Sequence, residues 1–183
     1  MAEVNTYCSY TKNLEEGNVH KVYHDSQYGF PIDSDNELFG RLVLEINQAG
    51  LSWNTILNKQ ENFRKAYSNF DIITIANYNG EERTRLLNDA GIIRNKLKVN
   101  AAIHNAGVII KIQKEFGSFQ NWLDYYHPKV KDEWVKLFKK TFKFTGGEIT
   151  NEFLMSSGYL KGCHDKTCHI YKEVLKKNPK WNN

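Results

Sequence analysis

Apolar residues recur along this chain at steps of three and four almost throughout, and convincing alternation with period two is absent. The pattern predicts an all-α fold. From Glu37 to Ala49, the residues Leu38, Phe39, Leu42, Val43, Ile46 and Ala49 share one stripe, with Ser34 and Glu37 spaced as a capping box and Gly50 as the terminator. Further helices are expected over about Asn54 to Ser68, Glu81 to Asp89 before the breaker Gly91, Asp132 to Lys140, Thr150 to Ser157 and Ile170 to Lys177. The most apolar segment, Arg94 to Phe116, carries Leu97, Val99, Ala101, Ala102, Ile103, Ala106, Ile109, Ile110 and Ile112 and is the expected centre of the fold. Repeats and low-complexity tracts are absent.

One polar residue interrupts this order. At about 100° per residue, Glu45 falls beside Leu38, Leu42 and Ala49, at the edge of the apolar arc. A carboxylate there is costly unless it is paired or employed. Either Glu45 forms a buried salt bridge or cap, or it serves a site. Its company, Gln48 and then Ala49-Gly50-Leu51-Ser52-Trp53, resembles the wall of a pocket for something flat and electron-poor.

Composition narrows the class. At 183 residues, 40% hydrophobic and 13% aromatic, the chain has material for one sizeable core, so a single domain over residues 1–183 is expected. Met1 to Tyr10 lacks the apolar run of a signal peptide, and no stretch approaches the ~20 apolar residues of a membrane span, which predicts a cytoplasmic protein without membrane partners. A net charge of +4 suits a polyanion but is common among proteins that bind none.

The three cysteines are an odd count in a chain without an export signal, which favours reduced thiols or metal ligands over disulfides. They sit near histidines at both ends: Cys8 with Tyr23-His24-Asp25, and His164-Asp165-Lys166-Thr167-Cys168. Two thiols and two imidazoles suggest that a metal clasps the termini through residues 8–24 and 163–169. Spacing favours His164 and Cys168, whose i, i+4 relation would put both on one side of a helical turn. Their neighbours Cys163 and His169 are also eligible ligands.

Several motifs in order carry a resemblance to a known family. Tyr23-His24-Asp25-Ser26-Gln27-Tyr28-Gly29-Phe30-Pro31, Leu44-Glu45-Ile46-Asn47-Gln48-Ala49-Gly50-Leu51-Ser52-Trp53 and Asp89-Ala90-Gly91-Ile92-Ile93-Arg94 closely resemble the type I 3-methyladenine DNA glycosylases. Phe142-Lys143-Phe144-Thr145-Gly146 and the terminal His164-x-x-x-Cys168 are similar as well, so the resemblance runs from Cys8 to Cys168.

The resemblance implies a base excision repair enzyme that flips 3-methyladenine out of alkylated double-stranded DNA and hydrolyses its N-glycosidic bond. It would release the free base, leave an abasic site and act as a monomer. It implies one structural zinc ion on Cys8, His24, His164 and Cys168, a saturated set with no open position for a catalytic water. Glu45 would accept hydrogen bonds from the base and favour positive charge on it or on the sugar. Trp53 and Tyr23 would stack against or touch the base. Tyr10 and Tyr28 are assigned the same task, although they stand where relatives carry tryptophan.

DNA would be held by a helix-hairpin-helix near residues 81–112. Its turn, Gly91 with Ile92, and the start of the next helix offer backbone amides to a phosphate, and Arg94, Lys96 and Lys98 add charge. The hairpin lacks the second glycine of the commonest version and could otherwise simply join two core helices. Leu51 would enter the gap left by the extruded nucleotide, with Gly50 allowing close approach; otherwise Leu51 packs into the core. Lys136, Lys139, Lys140 and Lys143 form either a phosphate-binding cluster or a solvated helix face. Two rival readings are a non-catalytic, zinc-stapled protein that binds damaged DNA and a zinc hydrolase with Glu45 as general base.

Overall fold

Short polar side chains set where the helices begin. Thr6, Asn18, Ser34, Ser52, Asp71, Asn79, Asn95 and Ser118 each accept a hydrogen bond from an amide of the helix that follows. Those amides have no partner inside the helix, so each cap removes a desolvation cost. A computed structural model describes residues 6–183, whose regular elements are all helical, with no strand among them. In chain order the helices are α1 (Tyr7–Lys12), α2 (Val19–Ser26), α3 (Asp35–Gln48), α4 (Trp53–Leu57), α5 (Gln60–Ala66), α6 (Ile72–Ala76), α7 (Gly80–Asn88), α8 (Lys96–Phe116), α9 (Phe119–Tyr126), α10 (Lys131–Thr141), α11 (Gly147–Ser156) and α12 (His169–Lys176). Among the described residues no helix is long and apolar enough to cross a membrane.

Two compact units divide the chain: residues Met1–Pro31 with Leu154–Asn183, and residues Ile32–Phe153. The larger unit is built on α3 and α8. Leu38, Phe39, Leu42, Val43 and Ile46 of α3 are all but inaccessible, as are Val99, Ala102, Ala106 and Ile109 of α8. A second apolar cluster joins Phe119, Trp122, Phe138, Phe142 and Phe153, with ring centroids 5.3–6.2 Å apart. Asp35 ties the elements together. Its carboxylate accepts from Phe119 N and Gln120 N at the start of α9 and from Gln113 Nε2 near the end of α8. In the smaller unit, α1, α2 and α12 surround the two histidines and two cysteines nominated as metal ligands.

The structure departs from the sequence pattern where helices are short. The segment expected as one helix over 54–68 is two, because Ser52 and Thr55 bond locally and the Asn58 side chain turns back to Asn54 O at 2.8 Å. Its end is replaced by a 3-10 turn, Ser68–Phe70, whose residues have φ of 47°, 56° and 60°. Helices α1, α2, α6 and α9, of five to eight residues, were not signalled by periodicity, since two turns offer too few apolar positions to define a stripe. The box at the start of α3 is only half made: Ser34 accepts from Glu37 N, but the Glu37 carboxylate pairs with Arg64 at 2.7 and 2.8 Å.

Gly40 is required by packing. A Cβ there would lie 2.5 Å from Cδ2 of the fully buried Phe70. Gly40→Ala should therefore cost about 1–3 kcal/mol of stability through overpacking, read as a lower urea midpoint at unchanged slope.

Candidate functional site

Glu45 is 4% exposed on α3, among Leu42 at 0% and Ile46 at 1%. Directly after α3 the backbone reverses. Ala49 has φ −49° and ψ 117°, Gly50 has φ +79°, and Leu51 N donates to Gln48 O at 2.7 Å. These are the angles of a type II turn, whose third position demands φ > 0. A Cβ on Gly50 would meet nothing, so this glycine is conformational, not steric. The Gln48 side-chain amide donates to Leu51 O at 3.0 Å and closes the turn from the other side. Leu51 is 37% exposed, and Trp53 opens α4 half-buried.

Residues 89–95 connect α7 to α8. Gly91 N donates to Asp89 Oδ1 at 2.7 Å, and an added Cβ would lie 2.9 Å from that oxygen and 3.2 Å from Asn62 Cβ, so any larger residue would have to displace the Asp89 carboxylate that this amide bonds. Lys59 Nζ donates to the carbonyls of Ala90 and Gly91 at 3.0 and 3.2 Å. Asn95 Oδ1 takes the amides of Leu97 and Lys98. The amides of Ile93 and Arg94 meet no protein acceptor among the described residues. Ile92 is buried at 3%, so any contact it makes with DNA is through its backbone, while Arg94 and Lys96 are exposed. Lys98 does not join them as a surface cation. It is 4% exposed, and its ammonium donates to Asn47 O at 2.8 Å and Ala49 O at 2.7 Å. Lys136, Lys139 and Lys140 lie on the exposed side of α10, and Lys143 just beyond it is exposed too.

In the smaller unit Cys8, His24, His164 and Cys168 converge, with all ligand atoms within 4.8 Å of one another. His24 Nε2 and His164 Nδ1 are 3.1 Å apart. Cys8 Sγ lies 3.3 and 3.6 Å from these nitrogens, and Cys168 Sγ 3.7 and 4.0 Å. A tetrahedral ion with bonds of about 2.3 Å to sulfur and about 2.0 Å to nitrogen needs edges of about 3.3 Å between nitrogens and about 3.5 Å between nitrogen and sulfur. The observed spacing fits.

Hydrogen bonds behind the ligands aim them inward. His24 Nδ1–H donates to Asp25 Oδ1 at 2.6 Å and His164 Nε2–H to Tyr28 O at 2.8 Å, leaving the opposite nitrogen of each ring with its lone pair toward the group. Cys8 Sγ accepts from Asp165 N, and Asp165 also takes the Thr6 hydroxyl at 2.6 Å, which ties the start of α1 to the C-terminal segment. Burial pushes the Cys8 thiol up to about 12, so an arriving metal ion must displace its proton. Burial also works to raise the Asp25 carboxyl, but the hydrogen bonds from His24 and Lys21 outweigh it and hold Asp25 below its usual range.

Cys163 and His169 fall outside the group. Cys163 is buried against Gly29, where a Cβ would collide with its sulfur. Nor does a helix place His164 and Cys168 together: Cys168 is extended, at φ −70° and ψ 135°, and its amide closes a turn on Asp165 O before α12 begins. A cleft of about 380 Å³ beside the group is lined by Lys12, Lys21, Asp25, Asp165 and His169.

Tyr7, which sequence reasoning passed over, centres an aromatic cluster in this unit. Its ring contacts those of Tyr10, Tyr23, Tyr28 and His24 at 5.6–6.5 Å. Tyr23 and Tyr28 are buried at 4% and 8% exposure, and Tyr10 is 46% exposed. A carboxylate beside a candidate ligand histidine, as Asp25 stands beside His24, is a legible signal for the residue that orients it. No comparable signal marks Lys59 or Lys98, whose partners are 31 to 51 positions away.

Comparison with known proteins agrees across sequence and structure. A family model for methyladenine glycosylase matches residues 14–136. DNA-3-methyladenine glycosylase 1 of Escherichia coli (strain K12) is 34% identical over 165 residues, covering 78% of this chain and 88% of that protein. A crystal structure of 3-methyladenine DNA glycosylase I aligns with a TM-score of 0.75 at 31% identity, covering 85% of this chain and 96% of the other. The enzyme from Staphylococcus aureus, solved to explain its recognition of 3-methyladenine, aligns with a TM-score of 0.77 at 28% identity over 85% of this chain and 93% of its own. With two thirds of its length matched by the family model, this chain belongs to the methyladenine glycosylase family.

Proposed function

We propose that the protein is a DNA-3-methyladenine glycosylase of base excision repair. It takes 3-methyladenine out of alkylated double-stranded DNA, hydrolyses the N-glycosidic bond and leaves an abasic site. The observation that carries this reading is Glu45, a carboxylate buried near the end of α3 in a chain of the methyladenine glycosylase family.

Methylation at N3 makes the adenine cationic. When the bond between C1′ and the base breaks, its electron pair neutralises the leaving ring, and water adds to the sugar with loss of a proton. The base therefore needs little acid catalysis. What the protein supplies is extrusion, stacking and a fixed negative charge. Glu45 accepts hydrogen bonds from the edge of the flipped base and stabilises positive charge on the base and on the developing sugar cation. In a dry site such a charge acts more strongly than in water. Trp53, at the start of α4, is assigned to stacking, and Tyr10, Tyr23 and Tyr28 to base contact.

DNA binding is assigned to a helix-hairpin-helix formed by α7, residues 89–95 and the first part of α8. The unused amides of Ile93 and Arg94, which follow Gly91 and Ile92 in the turn, offer donors for a backbone phosphate, and Arg94 and Lys96 add charge. Leu51, exposed on the glycine turn, is assigned to the gap left by the extruded nucleotide.

Cys8, His24, His164 and Cys168 would hold one zinc ion, whose preference for mixed thiolate and imidazole ligands matches this set. With four protein ligands it would supply structure and no catalytic water. Residues 1–183 are read as one glycosylase domain, acting as a cytoplasmic monomer.

Incubating purified protein with methylated duplex DNA should release free 3-methyladenine faster than the spontaneous rate, measured by chromatography of the small-molecule fraction. Binding to that DNA without release would instead identify a non-catalytic damage-binding protein.

A further inference from the structure

The carbonyl end of a helix favours a nearby cation, yet α3 has no basic residue in its last turn. The cation comes from α8. Lys98 Nζ donates to Asn47 O at 2.8 Å and to Ala49 O at 2.7 Å, and the carbonyl between them, Gln48 O, takes Leu51 N at 2.7 Å. Three successive carbonyls at the end of α3 are thus held, two of them by one ammonium.

Lys98 is 4% exposed, and a buried ammonium is costly unless its donors are used. Two are used on α3, and the Phe144 ring lies 6.0 Å from the nitrogen. Phe144 is itself held in the left-handed region, at φ +62°. The residue before it is clamped, because Lys143 N and O both bond to the side chain of the fully buried Asn105 on α8. Burial and engaged donors leave Lys98 unsuited to a phosphate, the role that its place after the hairpin suggested. Its own amide is in the first turn of α8, bonded to the Asn95 cap, so Lys98 links the hairpin to the glycine turn directly.

We infer that Lys98 is a positioning residue: its ammonium holds the Gln48–Leu51 turn in the shape Leu51 needs to enter the gap in the DNA, and ties that turn to the hairpin through α8. The role of Leu51 rests on the glycosylase reading; the anchoring of the turn does not.

The test uses Lys98→Met, which keeps the stem and removes the charge, with Lys98→Gln as a second variant should the first fail to fold. In the free protein, amide exchange over residues 48–51 should accelerate at least about tenfold, the scale set by losing even one of the two charged hydrogen bonds. Preference for a duplex with a stable abasic analogue over an undamaged duplex should fall by a similar factor, and the salt dependence of undamaged-duplex binding should not change. In a Leu51→Ala background, Lys98→Met should cost no further abasic preference, because the turn then has nothing to position.

Unchanged exchange, unchanged abasic preference or full additivity with Leu51→Ala overturns the inference. So does a salt slope reduced by about one, the mark of a lost phosphate contact. Accelerated exchange in the variant of a parent that releases no 3-methyladenine would defeat the glycosylase reading and leave the anchor standing. Base release by the parent with unchanged exchange would do the reverse.

Discussion

Replacing Glu45 with glutamine is expected to lower kcat/KM for release of 3-methyladenine by about a hundredfold while leaving the melting temperature nearly unchanged. The substitution preserves shape and one hydrogen-bond acceptor and removes the charge. Losing one preorganised electrostatic group at a reacting centre costs about 10²–10³ in rate, and the labile bond of an N3-methylated base argues for the lower end. Stability separates this account from its rival. If Glu45 were one half of a structural buried ion pair, glutamine would strand its partner and cost about 3–5 kcal/mol, with the activity of the folded fraction intact. Melting curves beside single-turnover rates distinguish the two.

The second large effect belongs to the metal group. Cys8→Ser and Cys168→Ser should each purify with little metal and melt about ten degrees or more below the parent, because loss of a structural ion removes several kcal/mol from a domain of this size. Loading zinc into metal-free parent should release about two protons near neutral pH, since burial keeps the Cys8 thiol protonated, up to about 12, until the ion arrives. Base release per folded molecule should survive in both variants at a temperature where they remain folded. Activity lost in step with metal content in a folded protein would instead make the ion catalytic.

How far the sequence anticipated this molecule depends on the length of each element. α3 spans 14 residues and α8 spans 21, enough turns for an apolar stripe to stand out and for the misplaced Glu45 to be noticed against it. The short helices carried no such stripe, and the expected helix over 54–68 broke where Asn58 bonds back to Asn54. At the metal group, sequence spacing favours His164 and Cys168 but leaves their neighbours Cys163 and His169 eligible. Cys163 and His164 are adjacent, and only the fold packs Cys163 against Gly29 and turns His164 toward Cys8. The helical reason offered for His164 and Cys168 was wrong in kind: a tight turn, closed from Cys168 N to Asp165 O, brings them together.

Lys98 is the instructive error. Placed after a glycine turn in a basic stretch, it reads as a phosphate contact. Its burial against carbonyls 49 and 51 positions away is a tertiary fact with no local trace. Lys59, with its ammonium on the carbonyls of Ala90 and Gly91, is of the same kind. In both cases a lysine near the expected DNA surface braces the backbone that would meet DNA.

The proposed reaction is hydrolysis of one glycosidic bond without strand cleavage. Its most direct test is a defined duplex carrying a single 3-methyladenine, incubated with excess protein while both products are followed. Free 3-methyladenine should appear together with an equal amount of intact strand that breaks only on alkaline treatment. A lesion strand that keeps its base, or one cut without alkali, would contradict it.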